Sequence, residues 1–299
     1  MIHVREASPR ANFVIPPTVL PRLLGVVSAL LLMVSVGQAQ CTGSETSSDA
    51  LAKGTAQAPG PNRLSEAGLL LLRAGSFKAA QISLTSLCRT GMQGAEILEN
   101  IGLAYLRISP KDAPAGGTTG AEIAQRVGHA ACLAAQKRFE EARKEYYALE
   151  EQYPRYPYIH YAVGRFWADM DDVSAAVAEF QEELKNQPKD INSRLEIAAG
   201  EYKLDSAAGL PYAEEAVKLN PLVPSAHYLL GLLYLDTDNY KKAIPELEIA
   251  QKVLPKNAKI YFALGSAYAR AGRKEDAARA RAAFAKLNRQ LQSSSEAMQ

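Results

Sequence analysis

Four histidines, three cysteines and one tight group of aspartates are the residues of this 299-residue chain whose chemistry could make an active site. Such sites need defined spacing. Metallopeptidases hold zinc with HExxH, hydrolases present serine in GxSxG, and nucleotide sites cradle phosphate with GxxxxGK[ST] or GxGxxG; none of these strings occurs. Ala115-Gly116-Gly117 is glycine-rich but follows no strand-like run, so it lacks the setting of a phosphate cradle. Asp169, Asp171 and Asp172 offer too few spaced oxygens for Ca²⁺ and read as a solvated turn. His160 and His227 stand at one position of a repeating pattern, a position that takes Tyr261 in its last copy, so both read as packing residues. At about 10 Å per packed helix they lie roughly 20 Å apart and cannot share a metal. His129 falls on the apolar face of its helix and reads as a core residue. Cys41, Cys88 and Cys132 form no CxxC and no disulfide framework, and Cys88 and Cys132 read as small apolar fillers inside helices. The expectation is therefore no catalytic residue, no metal and no cofactor.

The elements that would position a functional surface are clearer. Arg5, Arg10 and Arg22 precede an apolar run from Leu23 to Val36, which is followed by Gly37-Gln38-Ala39. This is the order of a signal peptide, with cleavage expected after Ala39 and an exported, periplasmic or secreted product. The run is short for a bilayer span, which wants about 20 residues. A membrane is expected as a partner only if this segment stays uncleaved or Cys41 is lipidated. Residues 40–60 are rich in Ser, Thr, Gly, Ala and Gln and read as a flexible linker. The tail 291–299 reads as disordered. The net charge of +2 resides in the first 39 residues, and outside them basic and acidic residues balance at 31 each. A neutral body exerts no field on phosphates, so nucleic acid is not an expected partner.

Residues 61–290 repeat. Prolines stand at 154, 188, 221 and 255, and glycines at 68, 102, 164, 231 and 265, a period near 34. Apolar residues recur at helical spacing, as in Tyr228, Leu232, Leu235 and in Tyr261, Leu264, Tyr268, which predicts two helices per period. Turns such as Asp236-Thr237-Asp238-Asn239 and Ala271-Gly272-Arg273 separate them. The clearest copy is His227-x2-Leu230-Gly231-x2-Tyr234, then Ala243-x3-Leu247, then Pro255. A second is His160-x2-Val163-Gly164-x2-Trp167, then Ala176-x3-Phe180, then Pro188. In this the chain resembles tetratricopeptide repeat (TPR) proteins, here of an exported bacterial type.

The resemblance implies an all-α solenoid of antiparallel helix pairs stacked in a right-handed superhelix, in about six to seven units. The spacing has a packing reason: Gly on the first helix and Ala on the second (Ala80, Ala142, Ala176, Ala243, Ala277) let the two approach. Three departures stand out. The first helix of the 190–221 unit is displaced by two residues, shortening its turn. Residues 109–120, with two Pro and three Gly, read as a loop where a second helix belongs. The last helix is extended from Ala285 to Gln290, as a polar cap.

The resemblance implies the function expected: a non-catalytic scaffold that binds a protein or peptide partner in its concave groove, in a cell-envelope assembly. The groove stripe implied is Tyr158, Tyr161, Arg165, Ser225, Tyr228, Leu232, Lys259, Phe262 and Ser266, with Asp169, Lys203 and Arg270 beside it. Alternatives of other classes are a membrane-tethered assembly factor and an accessory subunit of an envelope hydrolase or transferase.

Overall fold

The computed structural model describes residues 61–296, which form thirteen α-helices and one short 3-10 turn. The signal-like segment, Cys41 and the linker at 40–60 lie outside the described residues. The helices are α1 (Pro61–Arg73), α2 (Phe77–Cys88), α3 (Ala95–Tyr105), α4 (Thr119–Ala135), α5 (Phe139–Gln152), α6 (Ile159–Asp169), α7 (Val173–Asn186), α8 (Ile191–Leu204), α9 (Ser206–Leu219), α10 (Pro224–Asp236), α11 (Tyr240–Val253), α12 (Ala258–Arg270) and α13 (Lys274–Glu296). Each packs mainly on its neighbours in sequence, as a solenoid requires. No helix among the described residues is long and apolar enough to cross a membrane.

The repeated glycines do what their spacing predicts, with one refinement. A Cβ on Gly231 would lie 2.6 Å from Leu247 Cγ, and one on Gly164 would lie 2.7 Å from the Phe180 ring. The glycine thus admits the large side chain that follows the small Ala by one turn. Those Ala residues are themselves buried: Ala80, Ala142 and Ala243 have no exposed surface. The turn inside five of the six pairs uses a left-handed residue, Gly75, Lys137, Asp171, Asp238 or Gly272, and Arg107 takes the same conformation after α3.

The irregular units resolve as follows. Asp205 ends α8 and begins α9, its carboxylate accepting the Ala207 N–H at 3.0 Å, so one residue serves as the whole turn. Between α3 and α4 the chain makes a 3-10 turn at Pro110–Asp112, and Thr118 caps α4. No second helix of its own follows α3. Instead α4 packs along α3 and then begins the next pair with α5, so six pairs and one lone helix make up the described array. Among the described glycines, those of the α3–α4 contact have the least room: a Cβ on Gly102 would sit 1.7 Å from the Ala124 carbonyl oxygen, and one on Gly128 1.8 Å from that of Leu98. At the far end α13 runs to Glu296, so residues 291–296 are helical where the composition suggested a disordered tail.

Two sequence readings of chemical residues are corrected. Cys88, ending α2, and Cys132, in α4, are not lone fillers but form a disulfide across the α3 irregularity. Sequence spacing missed it because the partners stand 44 residues apart and only the α2–α4 contact brings them together. His129 is exposed rather than part of the core, because α4 turns its other faces to α3 and α5.

Gly128→Ala should destabilise the fold by about 2–3 kcal/mol, the cost of forcing two backbones apart, against a helix-propensity gain of about 1 kcal/mol. Gly116→Ala, which meets nothing within 4 Å, should be neutral; urea denaturation of both variants tests this. Reducing the Cys88–Cys132 bond should cost about 4 kcal/mol for a loop of this length, read as a lower urea midpoint with reductant than without.

Candidate functional site

The inner face that the resemblance implies takes the position three residues before each small residue of the first helix. Reading along the array, it carries Tyr161 before Gly164, Glu196 before Ala199, Tyr228 before Gly231 and Phe262 before Gly265. Three of these four are aromatic, yet their surroundings differ sharply. Tyr161 is 2% exposed and Tyr228 4%, whereas Phe262 is 59% exposed and rests against Phe284 at a ring-centre distance of 5.5 Å.

The protein's own N-terminal elements cover the middle of the column. The Arg107 guanidinium, just past α3, lies 5.0 Å from the Phe77 ring centre and 5.4 Å from that of Tyr161. Next to Phe77, Lys78 reaches from α2 to Glu196 on α8, at 3.6 Å. Arg165 on α6 donates to both Glu196 oxygens at 3.5 Å and to Asp169 at 2.9 Å. Lys78, Arg165 and Glu196 are all buried. Burial alone would raise the Glu196 carboxyl, but the Lys78, Arg165 and Arg107 charges outweigh it and hold that group below its usual value. Burial pulls Lys78 down to about 8, only partly offset by Glu196, and its Nζ makes no hydrogen bond. Glu196 is thus the anion that Lys78 and Arg165 share, joining the start of the array to its middle, while Asp169 is a second partner of Arg165.

The other residues of the implied stripe have structural partners too. Tyr158 is half-buried, opens α6 at a φ of 66, and its N–H donates to Glu183 at 2.9 Å. The Tyr161 N–H donates to the other oxygen of Glu183 at 3.2 Å, so a carboxylate from α7 caps α6. Burial pushes that carboxyl up to about 7, against the pull of the two N–H groups. Leu232 and Ser225 are buried, and Lys259 and Ser266 are half-buried. Arg270 donates to Asp238 at 2.8 Å and to the Leu235 carbonyl at 2.9 Å. Lys203 pairs with Asp171 at 3.2 Å in the same way, so both cations staple one unit's turn to the next. Asp172 caps α7 through the Ala175 N–H, which accounts for the acidic turn.

His160 and His227 are polar clasps rather than simple packing residues. His227 bonds the Glu246 carboxylate at 2.6 Å through Nδ1 and the Pro221 carbonyl at 2.8 Å through Nε2. His160 repeats this with Glu179 at 2.9 Å and Pro154 at 3.2 Å. Tyr261 keeps only the carbonyl bond, to Pro255 at 3.0 Å. Around His160 a further carboxylate enters, Glu150 Oε1 at 3.2 Å from Nδ1. The Glu150 and Glu179 carboxylates beside the ring push the imidazole up to about 10 despite partial burial. The regular spacing of the clasp, with its Pro six residues before the His and its Glu nineteen after, is visible in the sequence once the repeat is known.

Glu196→Gln leaves buried Lys78 without an anion and Arg165 with Asp169 alone, and should cost about 3–5 kcal/mol. Lys78→Met removes a poorly satisfied cation and should lie within about 1 kcal/mol of neutral at pH 7. The Lys78 amine is held near 8 in the fold against 10.5 in the unfolded chain, so the unfolded state binds more protons in that window. Wild type should therefore gain stability relative to Lys78→Met as pH rises from 8 to 10.5, and lose that gain as it falls again. Urea midpoints at several pH values measure the difference.

The TPR family model matches residues 129–191, 202–248 and 231–287. A 128-residue stretch is 27% identical to Superkiller protein 3 of Schizosaccharomyces pombe, covering 40% of this chain but only 9% of that protein. Among solved structures, a crystal structure of MamA aligns over 55% of this chain and 96% of its own, at 18% identity and a TM-score of 0.52. The MamA RS-1 ArsTM double mutant aligns over 56% and 96%, at 24% identity and a TM-score of 0.51. These likenesses concern the fold alone. The matched segments run from within α4 to the start of α8 and from the end of α8 into α13, and the chain belongs to the tetratricopeptide repeat family.

Proposed function

We propose that this protein is a non-catalytic scaffold that holds a segment of a protein partner on the inner face of its last units, in an exported, oxidising compartment. The observation that carries the reading is the uneven aromatic column. Tyr161 and Tyr228 are buried within the chain, while Phe262, at the same position of the last unit, is 59% exposed. An exposed aromatic on a rigid helix offers contact area at little entropic cost. TPR arrays are interaction scaffolds, which supports the partner being a peptide or helix. The binding surface is then narrower than the full groove. It centres on Phe262, with Lys259 and Arg270 beside it, while Tyr161, Arg165, Tyr228 and Leu232 are buried and Tyr158 half-buried, so they fall outside it.

Export is supported by two independent features. Residues 1–39 have the order of a signal peptide. The Cys88–Cys132 disulfide is a bond that persists in oxidising compartments and is rare in reducing ones. The role in an envelope assembly rests on these and on the scaffold reading.

A photo-crosslinking amino acid at Phe262 in the native host should give a discrete protein adduct, whereas one at Leu222, 85% exposed between α9 and α10, should not. Phe262→Ala with Arg270→Ala should remove co-purification of that partner with helicity unchanged. Equal adducts from both positions, or none from Phe262, would sink the proposal. Intact mass of the fractionated native protein should begin at Gln40, and a mass retaining residues 1–39 would move the array to a membrane.

A further inference from the structure

We propose that Glu150, His160 and Glu179 form a binding site for one divalent transition-metal ion of the zinc type. The three side chains come from the end of α5, the start of α6 and the middle of α7, and their ligand atoms all lie within 4.8 Å of one another.

The argument starts from proton counting on one imidazole. His160 Nε2 faces the Pro154 carbonyl at 3.2 Å, and a carbonyl only accepts, so Nε2 carries a hydrogen. Nδ1 then faces two carboxylates, Glu179 at 2.9 Å and Glu150 at 3.2 Å. A single proton on Nδ1 can serve one of them. Glu179 takes it, and Glu150 Oε1 is left buried with no hydrogen bond. A cation in place of that proton would satisfy all three groups together. The Nε2–H bond to a backbone carbonyl is also the outer contact that fixes a metal-binding histidine with its other nitrogen toward the ion.

The protein contains its own control. The His227 clasp has the same carbonyl and the same following carboxylate, Glu246, but the residue ten before the histidine is Val217 instead of Glu. The fold therefore does not require Glu150. What Glu150 adds is the third ligand. Zinc bonds of about 2.0–2.2 Å in tetrahedral array put neighbouring ligand atoms about 3.3 Å apart, close to the two separations observed at His160. The side chains are 15%, 16% and 20% exposed, which leaves a path for water as fourth ligand. One imidazole with two carboxylates suits zinc, manganese or iron(II) better than magnesium or calcium, which favour oxygen alone.

The test titrates the metal-stripped full-length chain with zinc chloride by calorimetry and follows cobalt(II) binding by its visible absorption. Two variants borrow residues the chain already uses at these positions: Glu150→Val, as in Val217, and His160→Tyr, as in Tyr261. Wild type should bind one equivalent. Each variant should lose at least about 100-fold in affinity with helicity unchanged, since even outer-shell partners are worth 10–100-fold. His227→Tyr should leave binding intact. Failure of wild type to bind zinc, or binding that survives both Glu150→Val and His160→Tyr, overturns the proposal; should Glu150→Val unfold, His160→Tyr alone decides.

Discussion

No helix pair in this chain can bury its apolar face by itself, and every other feature follows from that constraint. Two helices of about a dozen residues enclose too little between them, so each pair must lean on the next. Close approach within the pair makes this possible. A glycine on the first helix lets a Leu or Phe of the second descend onto the backbone, as at Gly231 with Leu247 and Gly164 with Phe180. Once that contact fixes the pair, the outer surfaces are presented at a constant angle. Polar links then recur with the same period. Tyr234 donates to Glu214 and Tyr268 to Glu248, each twenty residues back and at 2.6 and 2.7 Å.

Where the repeat is broken, the protein uses stronger ties. Around the lone α3, one packing contact and two bonds tie α2, α3 and α4 together. The α3–α4 backbones touch through Gly102 and Gly128, the Cys88–Cys132 bond joins α2 to α4, and Gln136 donates to the Cys88 carbonyl at 2.9 Å. The first helix pair is then tied to the middle of the array. Phe77 and Lys78 lie against Arg107 and Glu196 there, over positions a regular array would leave open. A buried anion between two buried cations adds little stability beyond an apolar replacement, yet breaking it is costly. Its effect is to specify which surfaces meet, and so to leave the far end of the column as the open part.

The solenoid was legible because its information is periodic: proline, glycine and alanine recur in register over most of residues 61–290. The displaced helix at 190–221 and the loop in place of a helix at 109–120 were legible for the same reason, as faults in the period. What the period cannot carry is contact between distant units. The disulfide spans 44 residues, and the Lys78–Glu196 pair joins α2 to α8. Nothing local marks either. The residues expected along the groove lie on the first helices of their units, but the burial of Tyr161 and Arg165 beside α2 and Arg107 was invisible. His129 failed differently: an apolar-looking face was read from α4 alone, before the lone α3 had shifted which of its faces is covered.

The histidine positions carry this reasoning one step further. Three units place His160, His227 and Tyr261 at one site, and each bonds the carbonyl of the proline that closed the previous unit. That bond satisfies a backbone acceptor at a helix-free corner, which is the structural requirement. Histidine and tyrosine meet it equally, so the fold alone leaves the second imidazole nitrogen free to vary in its use. In one unit it holds a single carboxylate, and in another it meets two. A repeat architecture thus separates what packing demands at a position from what chemistry can be added there. The places where equivalent residues keep the first and differ in the second are where function beyond the scaffold has room to arise.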